Sequence, residues 1–391
     1  MNETTSRPDI PLPPTIRSRY IEGINGLTMH VLEAGFETRG RPCVLLLHGF
    51  PELAYSWRKV MPALGEAGYH VIAPDQRGYG RTTGWDAAYD GNLAPFRLTN
   101  LVRDALGLVF AFGHRNAHVV GHDFGSPVAS WCALLRPDVF RSVAMMSAPF
   151  GGPPPLPFAT AELPAKPKPE DPVHRELAAL PRPRKHYQWY YATRAADADM
   201  HHARQGLHDF LRAYYHHKSA DWKPNQPHPL AAWSATELAK LPTYYVMDLD
   251  KTMAATVAEE MPDAATIASN QWLPDRELSF YAAEYERTGF QGGLQWYRCS
   301  TSGTFDTELQ TWSGRTIDIP SAFISGRQDW GTYQRPGVFE AMRTRACTRM
   351  LLCELIDGAG HWVQQEQGAE VSRLLLHFLR AAADEASSQL R

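Results

Sequence analysis

The segment His118-Val119-Val120-Gly121-His122-Asp123-Phe124-Gly125-Ser126-Pro127 limits the fold more than any other stretch of this chain. A short apolar run enters a Gly-x-Asp-x-Gly turn, and residues 127–135 read as the helix that leaves it. Glycines two residues before and two after a polar residue permit a sharp, strained strand-to-helix turn. The central side chain, Asp123, then stands at the C-terminal edge of a sheet, where ligand sites of such sheets lie. The plainer alternative is a Gly-flanked turn whose Asp caps the helix.

The flanking sequence supplies the sheet. Residues 43–47, Cys-Val-Leu-Leu-Leu, are a continuous apolar run, as expected of a strand buried on both faces. Residues 27–32, 69–73, 118–120 and 142–146 read as further strands, with helices at 57–67 and 98–112 between them. This alternation predicts an α/β fold, a mainly parallel sheet with helices on both faces. The rhythm breaks at residues 151–183, which are Pro-rich. A PxxP partner motif is one reading of that stretch; an extended excursion leading into an inserted domain is the simpler one. Residues 185–298 read as helical, rich in Tyr and Trp, with no clear strand. Alternation resumes with strands at 322–324 and 350–356, a helix at 337–344 and an amphipathic helix at 369–382. The expected organisation is an α/β core in two pieces, 1–147 and 310–391, with a helical cap at 148–309 between them.

The turn has a chemical meaning. A carboxylate with an ordinary pKa of about 3.9 is ionised at neutral pH. Asp123 therefore needs no general base to act as a nucleophile. Its natural target is an sp³ carbon bearing a leaving group, such as an epoxide or an alkyl halide. Attack produces an alkyl ester, which water must then hydrolyse. Leu47-His48-Gly49-Phe50-Pro51-Glu52 follows the first buried strand. There the Phe50 amide can join the Phe124 amide in an oxyanion hole for that second step. Near the C-terminus, His361 sits on a glycine-rich loop, Asp357 to Trp362, and suits a general base. Asp329, just past the strand at 322–324, can orient the imidazole and stabilise its cation. Asp357 is the weaker rival for that role, being too close to His361 in the same loop.

The order Asp123, Asp329, His361 resembles the α/β-hydrolase fold, and within it the soluble epoxide hydrolases. The matching pieces are His48 to Glu52, Asp75-Gln76-Arg77-Gly78-Tyr79-Gly80, Gly121 to Gly125 and Gly360-His361. The most specific is Arg287-Thr288-Gly289-Phe290-Gln291-Gly292-Gly293-Leu294-Gln295-Trp296-Tyr297-Arg298. It looks like the family segment whose Trp-Tyr-Arg tyrosine donates a hydrogen bond to the epoxide oxygen, which implies that role for Tyr297. The family's second tyrosine lies in a Tyr-Gln pair, matched here by Tyr187-Gln188, with Tyr190, Tyr191 and His186 as neighbouring candidates. Two phenolic donors would stabilise the alkoxide left by ring opening. Trp189, Gln188 and His48 are the candidate substrate contacts. Tyr-rich and Trp-rich surroundings suggest an apolar or aromatic epoxide.

Two other readings compete. A haloalkane or haloacid dehalogenase shares the Asp nucleophile, but Phe50 and Phe124 offer no side-chain N–H for a halide, and Phe124 removes the Arg of the His-Asp-Arg-Gly type. A non-catalytic ligand receptor on a hydrolase scaffold would keep the pocket and lose the base. The charge balance of 39 Lys+Arg against 42 Asp+Glu argues against a nucleic-acid binder. No apolar run reaches the ~18 residues of a membrane span. Five scattered cysteines suit a reducing compartment, so a cytoplasmic protein is expected. His201-His202 and His216-His217 lack a companion ligand cluster, so neither metal nor cofactor is expected. The oligomeric state stays open, a homodimer among the options.

Overall fold

The computed structural model describes residues 9–156 and 171–388. The strands in chain order are β1 (Ile16–Ile24), β2 (Leu27–Ala34), β3 (Cys43–Leu47), β4 (His70–Pro74), β5 (Ala117–His122), β6 (Phe140–Met146), β7 (Arg184–His186), β8 (Val246–Asp248), β9 (Ser321–Gly326) and β10 (Met350–Ile356). Eight of them form one sheet in the order β1-β2-β4-β3-β5-β6-β9-β10. The pairs β1–β2 and β2–β4 are antiparallel. The remaining pairs are parallel.

Side-chain alternation explains why both faces are covered. Cys43, Leu45 and Leu47 of β3 join one apolar cluster, and Val44 and Leu46 join the other. The helices Leu98–Ala111 and Gly125–Leu135 cover the first face through Leu101, Leu108, Val128 and Cys132. On the second, Val371, Leu374, Leu375, Phe378 and Leu379 of the helix Gly368–Ser388 repeat at helical spacing. Each such side chain contributes roughly 1.5–3 kcal/mol on burial.

The chain leaves the sheet after β6 and returns at β9, and the helical cap lies between. The cap is not purely helical: β7 and β8 form an antiparallel ladder, Arg184 opposite Asp248 and His186 opposite Val246. Strands this short show no period-2 pattern, which is why the sequence hides them. The cap is bolted to the core near the site. Trp296 Nε1 donates to the Arg77 carbonyl at 2.9 Å, and the Ser56 and Tyr281 hydroxyls lie 2.7 Å apart. A Cβ on Gly292 would meet the Gly78 carbonyl oxygen at 2.1 Å, so the two backbones touch and Gly292 must lack a side chain.

Other elements differ from expectation. Residues 57–67 split into a 3-10 turn, Ala54–Trp57, and a helix, Met61–Glu66, because Pro62 fits only a first helical turn. Residues 337–344 become a short helix, Val338–Ala341, followed by a π-helical turn, Met342–Ala346. The prolines at 164, 167 and 169, with the PxxP reading they carry, lie outside the described residues. No helix among the described residues is long and apolar enough to cross a membrane.

Candidate active site

The sharp turn places Asp123 at the carboxyl end of β5 with φ of 50°. That left-handed conformation is strained for a non-glycine residue, and the packing around it holds it. A Cβ on Gly121 would lie 2.0 Å from the Gly125 carbonyl oxygen, and one on Gly125 would lie 2.3 Å from the Leu47 carbonyl oxygen. Both glycines are steric requirements. Gly49 is a third: its Cβ would meet the Asp123 Cβ at 2.4 Å. The loop after β3 can therefore press on the carboxylate, and the Phe50 amide donates to Asp123 Oδ1 at 3.0 Å. The Phe124 amide makes no hydrogen bond among the described residues.

Across the sheet edge, His361 bridges two carboxylates. Its Nε2 is 3.2 Å from Asp123 Oδ2 and its Nδ1 is 3.1 Å from Asp329 Oδ1. Asp329 also accepts from the Gly331 amide at 2.7 Å and the Ser325 hydroxyl at 3.1 Å. Burial alone would raise the Asp329 pKa; the charge and hydrogen bond of His361 outweigh it and hold it below its ordinary value. Asp123 behaves alike: burial raises it, while His361, Lys218 and His122 pull it well below the ordinary carboxylate range. Both carboxylates are thus ionised at neutral pH. Asp357, the rival, is 83% exposed and pairs with Arg327 at the surface.

The loop that carries His361 is clamped. The Glu366 carboxyl accepts the amides of Gly360 and Trp362, one on each side of His361, at 3.0 Å each. The His361 amide donates to the Lys218 carbonyl of the cap at 2.9 Å.

Two cap tyrosines, Tyr187 and Tyr297, meet edge to face, with ring centroids 5.9 Å apart. Tyr297 packs on Phe50 and Phe124, at 5.5 and 5.1 Å between centroids. Burial first, and the charge of Asp123 second, push both tyrosine pKa values well above ordinary. Each phenol keeps its proton and can donate it. The Tyr297 hydroxyl has no hydrogen-bond partner among the described residues. The Tyr187 hydroxyl donates to Gln334 at 3.3 Å and accepts from Gln188 at 3.2 Å.

Three comparisons with known proteins bear on this geometry. The family model described as alpha/beta hydrolase fold matches residues 42–367. Epoxide hydrolase A of Mycobacterium tuberculosis is 34% identical over 365 residues, 91% of this chain and 95% of that protein. The epoxide hydrolase of Caballeronia sordidicola is 32% identical, over 92% of this chain and 93% of its own length. Among solved structures, an epoxide hydrolase from an endophytic Streptomyces superposes with a TM-score of 0.74 at 30% identity, covering 95% of this chain and 97% of that one. The chain belongs to the epoxide hydrolase family.

Not every candidate residue of this epoxide hydrolase reaches the carboxylate. Both His48 ring nitrogens are taken: Nδ1 donates to the Gly49 carbonyl at 2.9 Å and Nε2 accepts from the Gln76 amide at 3.1 Å. Buried with its ring satisfied, His48 ties two loops together and has no nitrogen left for a substrate. Trp189 packs against His174 and His186, at 4.0 and 5.1 Å, not against Asp123 or Tyr297. Of the rivals to Tyr187, Tyr190 donates to Asp199 at 2.9 Å, Tyr191 donates to Tyr214 at 3.1 Å, and His186 caps the helix Tyr187–Tyr191.

The sequence reading missed a buried pair beneath the site. His122 Nδ1 lies 2.6 Å from Glu52 Oε2, and its Nε2 lies 2.7 Å from the His361 carbonyl oxygen. Both nitrogens face acceptors, an arrangement that favours the doubly protonated, donating ring. Burial would lower its pKa, but Glu52 raises it. Gln364 and Gln365 each donate to Glu52 Oε1 at 2.9 Å. Glu52 and His122 stand inside the two motifs already singled out, which was the available signal.

Proposed function

We propose that this epoxide hydrolase works in two steps through a covalent ester on Asp123. The observation that carries the reading is His361 set between Asp329 and Asp123, at 3.1 and 3.2 Å. The epoxide oxygen takes hydrogen bonds from Tyr297 and Tyr187. Asp123 attacks a ring carbon, the carbon–oxygen bond opens, and a phenol supplies the alkoxide with a proton. His361, oriented by Asp329, then takes a proton from water. The water oxygen bonds to Asp123 Cγ, and the Phe50 and Phe124 amides hold the oxyanion. The ester bond breaks, the proton on His361 passes to the leaving oxygen, the second water proton returns from the Asp123 carboxyl to the tyrosinate, and a vicinal diol departs. The Glu52–His122 pair holds the base loop by its His361 carbonyl.

The walls favour an apolar or aromatic epoxide: Phe50, Phe124 and Tyr191 surround the Tyr297 ring. A dehalogenase reading gains nothing here, since the Phe50 and Phe124 side chains give a departing halide no donor. All five cysteines are free thiols, which supports a cytoplasmic location.

The test of the ring-opening role is Tyr297→Phe. Losing one donor to the developing alkoxide should slow formation of the ester by about 10²–10³, with substrate binding little changed. Rapid-mixing kinetics with styrene oxide measures both. An unchanged alkylation rate removes Tyr297 from the mechanism.

A further inference from the structure

Lys218 ends the cap helix Leu207–Lys218 and is 3% exposed. Its ammonium makes no hydrogen bond or ion pair among the described residues. It lies instead inside four aromatic rings, 5.1 Å from the centroid of Tyr245, 5.2 Å from Trp362, 5.4 Å from Tyr214 and 5.8 Å from Tyr244. Burying an ammonium without a hydrogen-bonded partner is costly, and an apolar helix end would avoid the cost. The charges that compensate it are those of the site. Burial pulls the lysine below its ordinary pKa, while Asp123, Asp329 and Glu52 hold it up. The cage lies on the base side of the site: Trp362 follows His361 and meets its ring edge to face at 4.7 Å, and neither Tyr187 nor Tyr297 is one of the four rings, though Tyr187 packs on Tyr245 at 5.0 Å.

We infer that Lys218 supplies a fixed positive charge that favours the ester-breaking half of the reaction over the ester-forming half. The inference rests on the reading of Asp123 as nucleophile. In the first step the carboxylate loses its negative charge to the epoxide oxygen, which the two tyrosines hold. A cation within electrostatic reach of Asp123 opposes that loss. In the second step charge returns to Asp123, first as the tetrahedral oxyanion and then as the released carboxylate. The same cation now lowers the barrier. The imidazolium that forms on His361 meanwhile leans on Asp329. A long-lived ester is the hazard of covalent catalysis by a carboxylate, and a buried ammonium on the base side works against it.

The test separates the two steps. Parent, Lys218→Met and His361→Gln are mixed rapidly with styrene oxide, quenched in acid and weighed intact, giving rates of ester formation and decay. In Lys218→Met the ester should form at least as fast as in the parent. It should decay at least about tenfold more slowly and accumulate in the steady state. A decay rate equal to the parent's overturns the inference, and so does equal slowing of both steps, which is what mere loosening of the fold would give. Lys218→Gln carries the same comparison if the Met variant fails to fold. His361→Gln is the control: no ester on it would sink the nucleophile reading and this inference together. Ester on it, with parental decay in Lys218→Met, would sink this inference alone.

Discussion

Glutamine in place of His361 should leave the protein folded and esterified. Asp123 is held ionised by several neighbours, so alkylation survives the loss of the imidazole. Hydrolysis does not, because among the described residues no second imidazole reaches both Asp123 and another carboxylate. Steady-state diol formation should fall by about 10²–10⁴, the usual worth of a general base. Intact mass should rise by one substrate within the first turnover. A variant that keeps an unmodified mass while its activity is lost would count against the ester on Asp123. The expectation rests on one ring that hydrogen-bonds Asp329 through Nδ1 at 3.1 Å and brings Nε2 within 3.2 Å of Asp123.

A comparable effect on stability is expected from Glu52→Ala. The side chains of Glu52 and His122 are fully buried, and no water can take over either charge. Removing one partner of a buried pair costs about 3–5 kcal/mol, since the other is left uncompensated. Here it also strands the amides of Gln364 and Gln365. The pH dependence has two limbs. The Glu52 pKa is lowered from 4.5 in the folded chain, so its contribution is present above that value and lost as pH falls through the folded value. The His122 pKa is raised from 6.5, so its contribution is complete below 6.5 and lost as pH climbs through the folded value. The gap in unfolding free energy between parent and Glu52→Ala should therefore be widest between those limbs. Urea titrations at several pH values measure it; a gap that does not vary with pH would mean that packing, not charge, is what Glu52 supplies.

These two residues also show where the sequence stops being readable. Asp123, Asp329 and His361 are legible because each follows a strand whose apolar run is plain, and glycines mark the turns. The glycines of the Asp123 turn are forced by contacts of 2.0 and 2.3 Å, so the pattern reflects sterics. β3, β5 and β6 are legible because a strand buried on both faces carries an apolar run, all of β3 and the cores Val119–Val120 of β5 and Val143–Met146 of β6. β1 is not: an edge strand with Arg17, Ser18, Arg19 and Glu22 exposed or partly exposed gives no such run. The ladder of β7 and β8 joins segments some 60 residues apart in the chain, as Arg184 and Asp248 show, and no local pattern announces it. Glu52 and His122 are 70 residues apart, and His122 and His361 are 239 apart. Lys218 is the same case, a helix-end lysine whose meaning comes only from rings that the fold gathers around it. His48 and Trp189 err the other way. Their types and positions suit a pocket, but loop and cap packing use up their rings.

The most direct measurement of the covalent mechanism follows an oxygen atom. Enzyme in excess over styrene oxide is allowed one turnover in water enriched in oxygen-18, and both the diol and the peptide carrying Asp123 are weighed. If Asp123 forms the ester and water attacks its carbonyl, the label enters the Asp123 carboxylate and the first diol carries none. Label in the first diol, with an unlabelled Asp123, would mean that water opens the epoxide directly and that Asp123 is not the nucleophile.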